Sequence, residues 1–325
     1  MKLPRRQFLH LAAGAAAVPT VPRLARAQTY PTRPVRLIAT FSAGGVVDLV
    51  ARLIAQWLSE RLGQTFIVEN RAGAGGNIGT EAVVRAPADG YTLLFVTAAN
   101  AINTTFYEKL NFDFSRDIAP IASIVRLPFV MLVNPSVPAK TVPEFIAYAR
   151  ANPGKLTMAS GGIGTSTHVA GELFKMMTGV NLVHVPYRGL ALSLTDLLGG
   201  QVQVLFGSTS LTIEQIRAGK LRPLAVTTTT RWEGLPDIPT VDDFVSGYEA
   251  SAWAGFGAPK NTPTEIVEKL NKEINAGLAD PKMKARLADL GGAVLPGSPA
   301  DFAKLIAEEI EKWGKVIRDA KIKPD

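Results

Sequence analysis

The chain has no cysteine and only three histidines among its 325 residues. Without cysteine it forms neither disulfides nor thiolate metal sites, and it has no thiol nucleophile. It also lacks the H-E-x-x-H pattern of zinc proteases and the G-x-S-x-G turn that presents a nucleophilic serine. Its carboxylates are scattered, with no pair that sequence spacing brings together. We therefore predict no catalytic residue, no metal site and no cofactor.

A large excess of one charge is also missing once the N-terminal residues are set aside. The whole chain carries a formal charge of +7. Residues 1–27 contain five basic residues and no acid, so the remainder carries 7 − 5 = +2. A nearly balanced chain lacks the basic footprint of a nucleic-acid binder, and we expect no nucleic-acid partner.

No long hydrophobic run follows residue 27, and the run before it is short. The segment Arg5-Arg6-Gln7-Phe8-Leu9 is typical of a twin-arginine export signal. The alanine-rich run Leu9–Val18 then leads to the small residues of Ala25-Arg26-Ala27, a cleavage pattern. The alternative, an uncut membrane anchor, would need about 20 apolar residues. We predict that residues 1–27 are removed near Ala27 and that the mature protein is periplasmic.

What the chain does contain is an alternation of strand-like and helix-like segments, which indicates an α/β fold with largely parallel sheets. Val35–Thr40 is predicted as the first strand, and residues 47–62 carry one apolar stripe at helical spacing. A second series begins near Phe129. Helix starts are predicted at Thr262-Pro263-Thr264-Glu265 and Ser298-Pro299-Ala300-Asp301, with Thr262 and Ser298 as caps.

This order of elements predicts two α/β domains. Lobe 1 would comprise residues 28–128 and 251–325, with the two C-terminal helices packed on it, and lobe 2 residues 129–250. The chain would then cross between the lobes near residues 126–128 and again near 248–253. Two crossings side by side form a natural hinge.

Two strand-to-helix loops contain adjacent glycines. Ser42–Asp48 precedes the first helix, and Ser160–His168 has a similar design far downstream. Glycine lets the backbone approach a ligand closely, and the first amides of a helix have no partner within it and favour an anion. An ordinary tight turn is the alternative for either loop alone. Two such loops in an exported chain favour a receptor that closes around a carboxylate.

The motifs of the chain resemble those of the Bug proteins, the periplasmic receptors of tripartite tricarboxylate transporters. The resemblance covers essentially all of the mature chain, in order. It rests on Tyr30–Ile38, the Ala43-Gly44-Gly45 loop ending in Asp48, Val68–Arg71, Gly73–Gly79, Ala86–Tyr91, His168–Phe174, Val185–Gly189 and Asp196–Val202.

This resemblance implies a two-lobed periplasmic-binding-protein fold of the type II kind, joined by the double-crossing hinge. It implies an organic acid as ligand, with the carboxylate held by amides and hydroxyls of the two glycine loops, partly through water. It also implies delivery to the integral-membrane permease subunits of the transporter. We expect the receptor to be a monomer.

Three departures from the family pattern concern the ligand. Val47 replaces a common threonine, Leu190-Ala191-Leu192 replaces a small residue followed by alanine and proline, and Gly207 replaces a frequent aspartate. If these positions line the cleft, the pocket is less polar and has lost an acid. We therefore expect a carboxylate with an apolar or aromatic body rather than an amino acid.

The candidate ligand-binding residues fall into two groups. The two glycine loops contribute Ser42, Ala43, Gly44, Gly45, Val46, Gly164, Thr165, Ser166 and His168, and positions elsewhere contribute Asn77, Thr97, Asn100, Arg188 and Gly207.

Several candidates have a structural alternative. His168 could contact the ligand or fix its loop by bonding backbone, and His184 is predicted to be structural. Asp48 is predicted to support its helix and to point away from the ligand. Arg188 could hold a carboxylate through two bonds or lie in solvent.

The glycine-rich loop Gly73–Gly79 also resembles a dinucleotide fingerprint, but its third glycine comes one residue late. We interpret it as a loop at the cleft rim with Asn77 as a polar contact. Two other classes of function stay open at this point: a twin-arginine-exported enzyme with a cofactor, and a receptor that signals to a membrane kinase.

Overall fold

The computed structural model describes residues 30–324, so the predicted export signal lies outside the described residues. The strands are β1 Val35–Ala39, β2 Phe66–Asn70, β3 Thr92–Thr97, β4 Ile118–Val133, β5 Leu156–Ser160, β6 Leu182–Pro186, β7 Val204–Ser208, β8 Arg222–Val226, β9 Ser251–Pro259 and β10 Ala293–Val294. The helices are α1 Val46–Leu62, α2 Asn77–Val84, α3 Ala98–Phe106, α4 Phe114–Asp117, α5 Val142–Ala151, α6 Ser166–Thr178, α7 Leu190–Leu198, α8 Thr209–Arg217, α9 Thr264–Ala279, α10 Pro281–Asp289 and α11 Pro299–Asp319, and a 3-10 turn, Ala74–Gly76, precedes α2.

Helix ends follow local chemistry in most places. Gly63 ends α1 in the left-handed conformation at φ 72°. At α11 the hydroxyl of Ser298 accepts from the Asp301 amide while the Asp301 carboxylate accepts from the Ser298 amide, a capping box that confirms the predicted helix start. The predicted cap Thr262 is wrong, because its hydroxyl donates to the Pro259 carbonyl and α9 begins after Pro263.

The strands form a mixed sheet in the order β2-β1-β3-β9-β4-β7-β5-β6, with β8 and β10 also pairing with β4. The outer pairs are parallel, as predicted, but β9 is antiparallel to β3 and β4, and β4 is antiparallel to β7 and β8. The expectation of largely parallel sheets is therefore wrong at the centre, where two long antiparallel strands lie.

These central strands connect the two halves of the sheet. Residues 118–128 of β4 pair with β9, and residues 129–133 pair with β7. The return connection passes Ala250, whose amide donates to the Thr227 carbonyl, and enters β9 at Ser251. Both connections lie where the sequence predicted crossings, and the predicted limits of the two lobes stay a prediction.

The last helix contributes to two hydrophobic cores. Phe302 and Ile306 pack in a cluster with Trp253. Trp313 and Ile317, from the second half of the same helix, pack in a cluster made largely of residues 129–250. The same cluster contains Ile102 and Phe106 of α3, so the second half of α11 also contacts the predicted first lobe, and the packing of α11 on that lobe stays a prediction. Among residues 30–324, none of the helices combines the length and hydrophobicity that a bilayer crossing requires.

Candidate ligand-binding site

A cavity of about 100 Å³ lies where the two glycine loops meet the central strands. Phe41 precedes the first loop and Val47 belongs to it, Ser166 comes from the second loop, and Trp253 comes from β9. The whole lining is Phe41, Val47, Val50, Thr97, Ala98, Ala99, Val125, Leu127, Ser166, Ala252, Trp253 and Ala254. No charged side chain is among these residues, and Thr97 and Ser166 are the predicted site residues that line the cavity directly. A larger groove of about 520 Å³ opens elsewhere, but none of the predicted site residues lines it.

The first loop is supported from within by Asp48, which is buried. One carboxylate oxygen accepts from the Gly44 amide at 3.0 Å and from Arg52 Nε at 2.9 Å. The other accepts from Asn70 Nδ2 at 2.8 Å. Burial alone would raise the pKa of Asp48, but these hydrogen bonds outweigh it and lower the pKa below its usual value. Asp48 thus has the supporting role that the sequence predicted.

This support decides which amides of the first loop are open to a ligand. The Gly44 amide, one of the predicted contacts, is already bonded to Asp48. The amides of Gly45, Val46 and Val47 have no acceptor among residues 30–324, because the first helical bond is from Leu49 to the Gly45 carbonyl. Ser42, Ala43, Gly44 and Gly45 are exposed. The start of α1 therefore offers free donors beside the cavity.

The second loop is bonded to its own side chains. The Gly161 amide donates to Thr167 Oγ1 and the Gly162 amide to Ser160 Oγ, both at 3.1 Å. Thr165 caps α6 and donates its hydroxyl to the Gly162 carbonyl at 2.7 Å. Of the predicted contacts, Thr165 is thus engaged within the loop, while Ser166 faces the cavity.

Two stacked histidines lie under this second loop. The rings of His168 and His184 are 3.7 Å apart and 9° from parallel. Nδ1 of His168 accepts from the Gly164 amide at 3.1 Å, so the neutral ring carries its proton on Nε2, 3.6 Å from a Glu172 oxygen. Of the two roles open to His168, this geometry supports the fixing of the loop. It also uses the amide of Gly164, another predicted contact.

The surroundings of the stacked rings shift the pKa values of His184 and of the neighbouring Glu172. Nε2 of His184 lies 2.7 Å from Ser160 Oγ. Burial, together with His168 and Lys175, lowers the pKa of His184 to about 4. Burial opposes ionisation of Glu172, but the nearby His168 and the hydrogen bond from Lys175 outweigh it and lower the pKa of that carboxyl.

Thr97 and Asn100 lie at the start of α3, but only one of them faces the cavity. Asn100 is buried; its Oδ1 accepts from the Thr97 amide and its Nδ2 donates to Thr80 Oγ1, each at 2.8 Å. Thr97 lines the cavity at the end of β3. The structure therefore gives Asn100 a role in fixing α3 against α2.

Asn77 is buried at the start of α2 with one end of its amide open. Its Oδ1 accepts from Asn103 Nδ2 at 3.0 Å. Its Nδ2 and the hydroxyl of Thr40 are both buried without a partner among the described residues. A polar contact by Asn77 stays a prediction with one free donor to support it.

Arg188 and Gly207 lie away from the cavity lining. Arg188 is exposed in the connection between β6 and α7. Gly207 is buried in β7 opposite Val130, and a Cβ there would meet the Thr212 methyl at 2.8 Å. A side chain at this position would therefore have to displace Thr212.

The residues that sequence reasoning missed are the apolar ones. Val125, Leu127 and Trp253 line the cavity from the crossing segments, and Ala98 and Ala99 from the start of α3. The sequence predicted the two crossings. The alternation of apolar residues along a strand does not show whether a face of that strand meets a ligand or a hydrophobic core.

Comparison with known proteins shows which family this chain resembles. The family model of the tripartite tricarboxylate transporter family receptor, TctC, matches residues 50–322. Protein BugT of Bordetella pertussis is 35% identical over 304 residues, which cover 91% of this chain and 93% of BugT.

Two solved structures are similar over nearly the whole described chain. Rpa4515 of R. palustris, solved with adipate, is 40% identical with a TM-score of 0.79, covering 91% of this chain and 100% of that one. MatC of Rhodopseudomonas palustris, solved with malate, is 30% identical with a TM-score of 0.75, covering 89% and 100%. These similarities confirm both the predicted fold class and the resemblance to Bug proteins. The chain belongs to the TctC family of tripartite tricarboxylate transporter receptors.

Proposed function

We propose that this chain is a periplasmic receptor that binds a small organic carboxylate between two lobes and delivers it to a tripartite tricarboxylate-type permease. The observation that carries the proposal is the cavity between the glycine loops, with free amides at the start of α1 and no charged side chain in its lining. The family is one of solute receptors rather than enzymes. Export through the twin-arginine signal of residues 1–27 belongs to the same proposal.

The free donors are sufficient for useful affinity. Hydrogen bonds to a charged group contribute about 1.5–3 kcal/mol each. Three or four such bonds, less the loss of ligand and hinge freedom, reach the roughly −8 kcal/mol of micromolar binding. A ligand that contacts both lobes stabilises the closed form, because only that form makes both sets of contacts.

The lining favours a ligand with an apolar or aromatic body. Beyond the loop amides, a ligand meets Phe41, Val47 and Leu127, with the hydroxyls of Thr97 and Ser166 as the polar groups of the wall. Burial of apolar ligand surface against such a wall stabilises the complex in proportion to area. A second charged group would find no counter-charge in this lining.

A thermal-shift screen of the mature protein tests the proposal. The panel contains mono-, di- and tricarboxylic acids, aromatic acids, and aspartate and glutamate. Binding to the folded state raises the melting temperature by mass action, so we expect the largest rise from an acid with an apolar or aromatic body. A panel in which no carboxylate raises the melting temperature would contradict the receptor function. A panel led by aspartate or glutamate would contradict the ligand class alone.

A further inference from the structure

The floor of the ligand cavity is made by β4 and β9, which contribute two cross-strand pairs of side chains. Val125 lies opposite Ala254, Leu127 lies opposite Ala252, and all four residues line the cavity. Successive side chains of a strand point to opposite faces of the sheet. The indole of Trp253 therefore lies on the other face of β9, in the core beneath α11. Each pair of the floor thus places a large side chain beside an alanine.

Leu127 is the large side chain of this floor that a ligand can reach. Val125 and Ala254 are 0% and 2% exposed, whereas Leu127 and Ala252 are half-buried. The pair of Leu127 and Ala252 lies where both strands cross between the predicted lobes. A change in the size of either residue therefore changes the space at the point where the ligand body meets the floor.

Leu127 is supported from outside the cavity by Gly292, which comes directly before β10. A Cβ at position 292 would lie 2.4 Å from Val125 Cγ2 and 3.1 Å from Leu127 Cδ2. Leu127 also packs against the hydrophobic core that α1 and α9 form with β4 and β9. Because such interiors are close-packed, the leucine has little room to move away from a larger ligand. The size of its side chain therefore limits the space of the site.

Resting on the proposed function, we propose that Leu127 determines the size of the ligand body that the receptor accepts, with Ala252 leaving the space beside it. Leu127 lies on a strand, outside both glycine loops. A change of its size therefore alters the apolar part of the site and leaves the amides at the start of α1 in place.

Straight-chain monocarboxylic acids from butanoate to decanoate test this role. The head group is the same in all of them, and a flexible chain can follow whatever apolar space the site offers. Each buried methylene strengthens binding roughly fourfold, so the affinity of wild type should rise with chain length until the cavity is full. Calorimetric titration of each acid gives the preferred chain length.

Two substitutions in the same cross-strand pair should move this preference in opposite directions. Leu127→Ala enlarges the site and should favour a longer acid, while Ala252→Val narrows it and should favour a shorter one. We compare the dissociation constants of the acids directly below and above the wild-type optimum in length. Their ratio should change at least fourfold in each variant, with opposite sign. Leu127→Val, a milder change, should give a smaller shift in the same direction as Leu127→Ala.

Leu62→Ala is the matched control. Leu62 is a half-buried leucine that packs against the same hydrophobic core, but it ends α1 at the far end from the glycine loop and does not line the cavity. Its truncation should lower the melting temperature and leave the preferred chain length unchanged. A purely structural role for Leu127 would likewise weaken all acids by the same factor at an unchanged preferred length, and that result would overturn the inference.

The outcomes separate the two proposals. If wild type binds neither these acids nor any acid of the thermal-shift panel, the receptor function fails and this inference fails with it. If wild type binds acids of the panel but shows no preferred chain length, only the inference fails. The same holds if the folded variants of Leu127 and Ala252 keep the wild-type preference.

Discussion

The two glycine loops look alike in sequence but are supported in different ways. In the first, the Asp48 carboxylate takes up the Gly44 amide, while the amides at the start of α1 stay without an acceptor among the described residues. In the second, hydroxyls and the His168 ring take up the amides of Gly161, Gly162 and Gly164. Fewer amides are left there without an acceptor among the described residues, namely those of Ile163, Ser166 and Thr167. We infer that the first loop supplies most of the anion contacts and that the second presents Ser166 as part of a shaped wall.

The largest effect on binding is expected from Val46→Pro. Proline at the first helical position removes a free amide while its φ suits the helix, and Gly45 already has the extended conformation that a following proline needs. Loss of one bond to a charged group should weaken binding roughly tenfold to hundredfold, corresponding to about 1.5–3 kcal/mol. Calorimetric titration with the best acid of the screen measures it.

Thr264→Pro is the matched control for this substitution. Thr264 is the exposed first residue of α9, and the preceding Pro263 has a compatible ψ of 134°. Binding should be unchanged there. Unchanged binding in Val46→Pro itself would show that the anion lies elsewhere. It would contradict the inference that the first loop supplies most of the anion contacts.

Asp48→Ala should lower the stability of the protein, because the Asp48 carboxylate supports the first loop through hydrogen bonds within the protein. The change leaves the Gly44 amide and Asn70 Nδ2 without their acceptor, which should lower the free energy of unfolding by about 1–3 kcal/mol. Urea unfolding at pH 7 measures it, with Glu268→Ala on the exposed face of α9 as a control that should stay within about 0.5 kcal/mol. A stable Asp48→Ala protein that no longer binds would instead place this carboxylate at the ligand.

Much of the first loop and its helix could be predicted from local signals. The apolar stripe of α1, Gly63 at its end and the capping box at Ser298 each act within a few residues, so the sequence carries them directly. The glycine pairs likewise predicted two close turns before helices. What these signals could not show is which amides remain free, because that depends on side chains such as Asn70, 22 residues from Asp48.

The sequence does not predict the central strand β9, and the reason is physical. Its sequence, Ser251–Pro259, is rich in alanine and glycine, which favour strands poorly. Gly255 and Gly257 are there because a Cβ would collide with Phe302 in the first case and with Ile118 in the second. Those partners are distant in sequence. A strand whose glycines are required by such close contacts therefore resembles a loop when only the sequence is known.

Ser166→Ala should have a smaller effect on binding than Val46→Pro. Loss of one hydroxyl hydrogen bond corresponds to about 0.5–1.5 kcal/mol, or roughly two- to tenfold weaker binding. Ser246→Ala, at an exposed position remote from the cavity, should leave affinity unchanged. If Ser166→Ala proved more damaging than Val46→Pro, the second loop would be the main anion site and the contrast would be reversed.

The smallest effect at neutral pH is expected from His184→Gln, since Gln can still bond Ser160 and the histidine is already uncharged there. The folded-state pKa of His184 is lowered to about 4, through burial first and then through His168 and Lys175, with Glu172 acting in the opposite sense. In the unfolded chain it has the usual value near 6.5, so between about pH 6.5 and pH 4 the unfolded state binds the extra proton. Its stabilising contribution is therefore fully present above pH 6.5 and is lost as pH falls toward 4.

Urea unfolding of wild type and His184→Gln at pH 7, 6 and 5 isolates this contribution, because the other titrating groups are common to both proteins. Wild type should lose stability on acidification more steeply than the variant. If the free energies of unfolding of the two proteins fell in parallel with pH, the neutral ring of His184 would not be what stabilises the second loop. Because the first loop has no histidine support, acid in this range should loosen the second loop first, and ligands that depend mainly on the α1 amides should bind nearly as well at pH 6 as at pH 7.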